Sequence, residues 1–289
     1  MNRPTWPPKA PLPLQHLQRR NTSSHLVRRV TVNTPKPNPI DLTHDFPENN
    51  PEVMTTLLHN LGLSPTLSFH DVFSISDPDL LAFVPRPAHA LLLVFPVSKT
   101  YETFRAAEDA PKPDYSASGP SEEVLWYKQT IGNACGLIGL LHGVSNGRAR
   151  EFVQEGSELD AFIRAAVPLA PRERAVLIEE SDALERAHQQ AAAGGETAAP
   201  AAEDDVDLHY VCFVKSEESG SLWELDGRRK GPLNRGSLEA GDDVLSERAL
   251  DLGVRAFLKR EEEAGGGDLR FGLIVLAESL DLSRRRLMK

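Results

Sequence analysis

The segment Lys128–Gly143, KQTIGNACGLIGLLHG, decides how the rest of the chain is read. Gly132 and Asn133 spell a turn, and the residues after them are almost all apolar, as in a helix buried on every side. Cys135 then falls in the first turn of that helix. There the unpaired backbone N–H groups and the helix dipole favour a thiolate over a thiol, which turns an ordinary cysteine into a nucleophile at neutral pH. A lone cysteine in an apolar segment is more often a small core residue, so the nucleophilic reading needs partners elsewhere in the chain.

A base must come from a histidine. His142 is nearest in sequence, but seven residues of helical rise put it about 10 Å from Cys135, out of hydrogen-bond reach; it reads as a packing residue. His209 stands in DLHYVCFV, an apolar strand-like run that would hold an imidazole rigidly. Cys212, three residues on, points to the opposite face of that strand and belongs to the core. Asp226 closes the next strand-like run, LWELDG. If the two runs pair, its carboxylate can orient the histidine, completing a nucleophile–base–acid relay. Gln129 carries a neutral amide that can donate to an oxyanion, as can the backbone N–H of Cys135.

The elements around these positions predict helices packed about one central sheet. Asn50 can cap a helix that starts at Pro51, with a stripe of Val53, Met54, Leu57, Leu58 and Leu61 ended by Gly62. Strands are expected at Leu67–Phe73, Ala90–Phe95, Leu208–Val214, Ser221–Asp226 and Phe271–Leu276. Helices are expected near 98–108, 133–146, 157–167, 171–190 and 243–263, and no internal repeat is present. Ala191–Asp205, AAAGGETAAPAAEDD, has nothing to bury and reads as a long mobile loop. Residues 1–45 are proline-rich and read as a disordered basic extension; one folded domain is expected over 46–280, followed by a short basic tail at 281–289.

Composition narrows the class. Of 289 residues 40% are hydrophobic, enough for one substantial core, and no stretch has the ~18–20 apolar residues that a membrane span needs. Two cysteines cannot build a disulfide framework or a four-cysteine metal site, which fits a reduced intracellular setting. The formal charge is 32 − 42 = −10, yet residues 1–40 hold seven basic side chains and no acidic one, leaving 25 − 42 = −17 on the rest. A body that acidic disfavours nucleic acid and membrane surfaces and favours a basic protein partner.

Taken together these blocks resemble the ubiquitin carboxyl-terminal hydrolase family, whose signature QTIGNACG stands unchanged at Gln129–Gly136. VDLHYVCFV (206–214) and LWELDGR (222–228) are similar to the family's later blocks in the same order, and NNPEVMTTLLHNLGLSP, LLAFVPRP and LLLVFPV to its opening. The likeness covers about Glu48 to Ala277. KGPLNRG (230–236) departs from the family pattern, and residues 1–45 have no counterpart in it.

The resemblance implies an α/β (α+β) fold with a papain-like cysteine protease core, a central, mainly antiparallel sheet flanked by helices, and a knotted backbone. It implies a thiol-dependent deubiquitinase of the short single-domain type, acting at the C-terminal glycine of ubiquitin and favouring small or unfolded leaving groups. Cys135 would be nucleophile, His209 general base and acid, Asp226 its orienter and Gln129 the oxyanion donor. The loop at 191–205 would cross over the active site. Glu48 and Asp71 are the acidic residues expected to pair with arginines of ubiquitin's tail. The expected partner is ubiquitin, bound by a monomer in the cytoplasm and nucleus, with no metal or cofactor. A catalytically silent ubiquitin-binding module and a hydrolase for another ubiquitin-like modifier are the alternatives.

Overall fold

The computed structural model describes residues 50–131, 134–194, 208–264 and 271–280. The chain opens with α1 (Pro51–Leu61), β1 (Leu67–Asp71), α2 (Pro78–Leu81), β2 (Ala90–Pro96) and α3 (Lys99–Asp109). Next come α4 (Cys135–Ser145), a 3-10 turn (Gly147–Phe152), α5 (Glu158–Ala166), α6 (Pro171–Glu179) and α7 (Asp182–Gly194). The last third carries β3 (Leu208–Lys215), β4 (Ser221–Leu225), β5 (Leu233–Ser237), α8 (Glu247–Leu252), α9 (Val254–Glu263) and β6 (Gly272–Glu278).

The first helix is built from its caps inward. Asn50 accepts from the N–H groups of Glu52 and Val53, Pro51 occupies the first position, and Gly62 stops the helix at φ 113°, a left-handed conformation that glycine adopts at little cost. Val53, Met54, Leu57, Leu58 and Leu61 are all buried, as the stripe predicts.

The strands form one six-stranded sheet in the order β1-β6-β2-β3-β4-β5, and every neighbouring pair is antiparallel. Both faces are covered, so β2 reads as a continuous apolar run rather than an alternating one. Ala90, Leu92 and Val94 of β2 join Tyr210, Cys212 and Val214 of β3 under α1, α4 and α5. Leu91, Leu93 and Phe95 join Val211 and Phe213 on the other face, under α8 and α9. All residues of α4 are buried, which places a helix in the centre of one layer.

That central helix lies close to the sheet because glycines face it. A Cβ at Gly139 would stand 3.4 Å from Leu92 and Tyr210, and one at Gly143 would stand 3.1 Å from the Ala90 Cβ and 3.8 Å from the Cys212 sulfur. The small residues GxxxG in GLLHG thus set how near α4, and the cysteine at its head, sits to β2 and β3.

Four expectations need correction. β1 ends at Asp71, and Phe73 is 75% exposed, so the strand does not run to Phe73. The stretch 171–190 is two helices, broken after Glu179 where the Ser181 hydroxyl caps the turn of α7, and 243–263 is likewise two, broken at Gly253. Ala191–Gly194 continue α7 rather than beginning a loop, as alanine's helix propensity favours, while 195–207 lie outside the described residues. One further strand, β5, is not among the expected ones, having no apolar alternation to announce it. It is an edge strand whose Arg235 is held by Glu108 and Glu224.

Candidate active site

Cys135 is the first residue of α4 and 8% exposed, and the N-cap residue, Ala134, has no side-chain oxygen to offer the helix. Its thiol donates to the carbonyl of Leu208, with Sγ 3.5 Å from the oxygen. Leu208 opens β3, so the head of the central helix abuts the start of the central strand.

The next residue of that strand is His209, which is fully buried. Strand parity turns it away from α4, toward Phe95 and Tyr101 on the far face, whereas Cys212 faces α4 as expected. The cysteine and the histidine therefore approach from opposite layers and meet only because both stand at an element end. A central strand flanked by β2 and β4 gives the imidazole a rigid base.

His209 Nε2 lies 2.8 Å from Asp226 Oδ1, and both side chains have no solvent exposure. Asp226 stands one residue past the end of β4, so the carboxylate comes from the turn that follows the strand and not from the strand itself. Oδ1 also accepts from the Arg228 N–H at 2.9 Å, and Oδ2 accepts from the Tyr101 hydroxyl at 2.5 Å. The Asp226 carbonyl takes the Trp126 indole N–H at 3.1 Å, which ties this turn to the segment leading into α4.

The electrostatics of the pair follow from these contacts. Burial by itself disfavours both charges, but the mutual attraction and hydrogen bond outweigh it. His209 is raised to about 9, the Asp226 carboxylate, the bond to it and the neighbouring Cys135 all favouring the imidazolium. The Asp226 carboxyl is held well below the usual carboxylate range by His209, Tyr101 and the Arg228 N–H. His209 Nδ1, the nitrogen not used by Asp226, takes no hydrogen bond among the described residues. It is the position from which a base can exchange a proton with a sulfur.

Gln129 is half-buried beside this cluster. Its backbone N–H donates to Gly227 O at 2.9 Å, so the glutamine is anchored to the residue after Asp226. Its side-chain Nε2 donates to Ile131 O at 3.0 Å, which uses one of the two amide hydrogens and orients the other.

The remaining expected residues lie elsewhere. His142 is fully buried and its Nε2 accepts the Tyr127 N–H at 2.9 Å; desolvation drives its pKa down to about 3, so it is a neutral acceptor within the core. Asp71 is exposed on the edge strand β1, separated from β3 by β6 and β2, with its carboxyl raised by partial burial against the opposing pull of His70. It is not joined to the cluster around Cys135. Glu48 lies outside the described residues. Tyr101 and Arg229, which adjoin Asp226, escape the sequence reading because a tyrosine in a polar helix and one arginine among several carry no periodic or spacing signal.

Arg229 builds the floor of the site. It is 2% exposed and bonds Glu224 at 3.0 Å, Glu108 at 2.9 Å and Asp109 at 3.1 Å, with Asp226 Oδ2 at 3.8 Å. A buried guanidinium needs this many acceptors to offset its desolvation, and it lends positive potential to the Asp226 carboxylate.

A cysteine at a helix N-terminus beside a buried histidine–carboxylate pair is suited to acyl transfer through a thioester. The comparisons agree with that chemistry. The family model described as ubiquitin carboxyl-terminal hydrolase, family 1, matches residues 47–258. Ubiquitin carboxyl-terminal hydrolase 3 of Arabidopsis thaliana is 36% identical over 80% of this chain and 92% of its own length. Ubiquitin carboxyl-terminal hydrolase isozyme L1 of Monodelphis domestica is 35% identical over 80% of this chain and 96% of its own. In fold, the chain is similar to the crystal structure of Trichinella spiralis UCH37 bound to ubiquitin vinyl methyl ester, with a TM-score of 0.60 at 20% identity, over 83% of this chain and 84% of that one.

Proposed function

The chain belongs to the ubiquitin carboxyl-terminal hydrolases of family 1, and from that premise we propose that Cys135, His209, Asp226 and Gln129 cleave adducts from the C-terminal glycine of ubiquitin. It is a cysteine-type ubiquitinyl hydrolase. The observation that supports this assignment of residues is the buried His209–Asp226 pair placed beside a cysteine at the head of α4.

In the proposed reaction Cys135 attacks the carbonyl carbon of the terminal glycine as the thiolate of a thiolate–imidazolium pair, its proton held on His209 Nδ1. The Gln129 amide and the Cys135 backbone N–H hold the oxyanion. As the tetrahedral intermediate collapses, protonated His209 delivers its proton to the departing amine, alcohol or thiol, leaving ubiquitin's glycine as a thioester on Cys135. Water then attacks that thioester while His209, neutral after giving up its proton, accepts one from it; collapse expels Cys135 as the thiolate beside the imidazolium and frees ubiquitin's carboxylate. Asp226 remains ionised throughout and fixes the ring so that Nδ1 faces the sulfur.

The low-complexity sequence of 195–207, with nothing to bury, and its place just before His209 in the chain support a gating role for that segment. Leaving groups that can thread past it, small or unfolded, are preferred over folded ubiquitin chains. If folded di-ubiquitin is cut as fast as a small ester adduct of ubiquitin, the gating is absent.

A catalytically silent ubiquitin-binding module is favoured by one observation, the thiol's bond to Leu208 O in place of His209 Nδ1. Intact mass after incubation with ubiquitin bearing a C-terminal electrophile separates the readings. One added ubiquitin on the parent and none on Cys135→Ala is expected; no adduct with ubiquitin binding retained establishes the silent module. Capture of a ubiquitin-like modifier in preference to ubiquitin would reassign the substrate.

A further inference from the structure

Asp226 presents two oxygens, and the relay from His209 uses only one. Oδ1 carries the His209 ring and the Arg228 N–H, a pivot about which the carboxylate plane can still turn. The second oxygen accepts from the Tyr101 hydroxyl at 2.5 Å, while the Arg229 Nε stands 3.8 Å away, beyond a hydrogen bond. A hydrogen bond to a charged oxygen that is shielded from solvent is among the stronger interactions available to a protein.

The tyrosine is itself over-determined. Its ring is 3% exposed and packs edge-on to Phe95 with centroids 4.9 Å apart, and it stands 5.6 Å from the His209 ring and 6.3 Å from Phe257. Its backbone N–H is taken by Ser98 Oγ, the N-cap of α3, at 2.8 Å. The same hydroxyl donates to Glu261 of α9 at 2.7 Å, so the first turn of α3 is pinned to a second helix. Burial first, then the Asp226 charge and the bond to it, push the phenol's pKa up and so favour the donor form. One side chain thus touches the imidazole with its ring and the carboxylate with its hydroxyl.

We propose that Tyr101 is a positioning residue for hydrolysis: its hydroxyl locks the plane of the Asp226 carboxylate, and through it the plane of the His209 ring that must face Cys135. The proposal rests on the assignment of His209 and Asp226 to catalysis. It predicts that the hydroxyl acts on turnover and not on ubiquitin binding, and that it acts only through the carboxylate.

The test is a double-mutant cycle of Tyr101→Phe and Asp226→Asn, read as kcat and KM on a ubiquitin C-terminal fluorogenic amide. Rates are normalised to active sites titrated with a ubiquitin electrophile, so that unfolded protein is not counted. Tyr101→Phe keeps the packed ring and removes one oxygen. Its kcat is expected to fall about tenfold with KM within about twofold of the parent, the size of one lost charge-assisted hydrogen bond. In the Asp226→Asn background the same change is expected to cost less than about twofold.

A kcat for Tyr101→Phe within about twofold of the parent overturns the proposal. So does a tenfold loss repeated in the Asp226→Asn background, which marks a packing role, and so does a loss confined to KM. If Asp226→Asn itself leaves kcat unchanged, the assignment of Asp226 fails and this proposal fails with it. A large loss in Asp226→Asn with none in Tyr101→Phe overturns this proposal alone.

Discussion

His209 Nε2 and Asp226 Oδ1 are 2.8 Å apart and neither side chain is exposed to solvent, so the two groups titrate as a coupled pair. The histidine's pKa is raised from 6.5 in the free side chain to about 9 in the fold. The folded state therefore holds its proton where the unfolded chain has released it. The stability this contributes is fully present below pH 6.5 and is lost as the pH rises through about 9. Urea unfolding of the parent at pH 6.5 and 9.5, compared with His209→Gln, is expected to show a difference on the order of 2–3 kcal/mol that is confined to the lower pH. Equal pH dependence in both proteins would show that the ring is not charged in the fold.

Gln129 is expected to matter to the transition state and not to ubiquitin binding. Loss of an oxyanion donor costs ~3–4 kcal/mol, so Gln129→Ala should lower kcat by roughly hundreds-fold with KM little changed. Steady-state kinetics on a ubiquitin ester or amide decides; a rate within about twofold of the parent removes Gln129 from the oxyanion hole.

Gly227 couples the two halves of the site by contact. A Cβ there would meet Gln129 Cβ at 2.9 Å, Gln129 N at 3.1 Å and Ile138 Cγ2 at 3.2 Å, and the Gln129 N–H to Gly227 O bond of 2.9 Å would have to shift. Gly227→Ala is expected to cost ~1–3 kcal/mol of stability by overpacking. Its kcat per titrated active site should also fall by about tenfold, because the amide of Gln129 moves with its backbone. Parent-like turnover in a destabilised variant would uncouple the two residues.

His142 should affect stability alone. It accepts the Tyr127 N–H at 2.9 Å, and burial lowers its pKa to about 3. The unfolded chain therefore binds a proton that the folded chain refuses, and stability falls as the pH drops from 6.5 toward 3. His142→Leu removes this acid sensitivity while orphaning the Tyr127 N–H, at a cost of ~1–3 kcal/mol near neutral pH. Denaturant midpoints from pH 4 to 7 are the measurement, with kcat per titrated site expected to match the parent; a steeper acid loss in the variant would contradict the assignment.

How far the chain could be read from its residues varies with the kind of signal. The first helix was legible to the residue, because caps and stripe are local chemistry between neighbours in sequence. The apolar strands β2 and β3 were legible as continuous buried runs. β5 was not, since Leu-Asn-Arg-Gly-Ser owes its extended form to the ladder with β4 and to Arg235's ion pairs, which are distant in sequence. The breaks at Glu179 and Gly253 were missed because the apolar pattern runs across both.

The sequence by itself determined the class of chemistry: Cys135 at a turn before an apolar helix, His209 in a buried strand and Asp226 at the end of the next, in motifs long enough to carry the family. It also determined that α4 would be buried on all sides, since no polar face was available to it. Only the tertiary structure decided that His209 turns to the layer opposite α4 and meets Cys135 at the mouth of β3, and that Tyr101 and Arg229 stand behind Asp226. Local preferences act between neighbours a few residues apart. The partners of a buried charge are selected by the energy of leaving it unpaired, and that energy is settled only when the layers close around it.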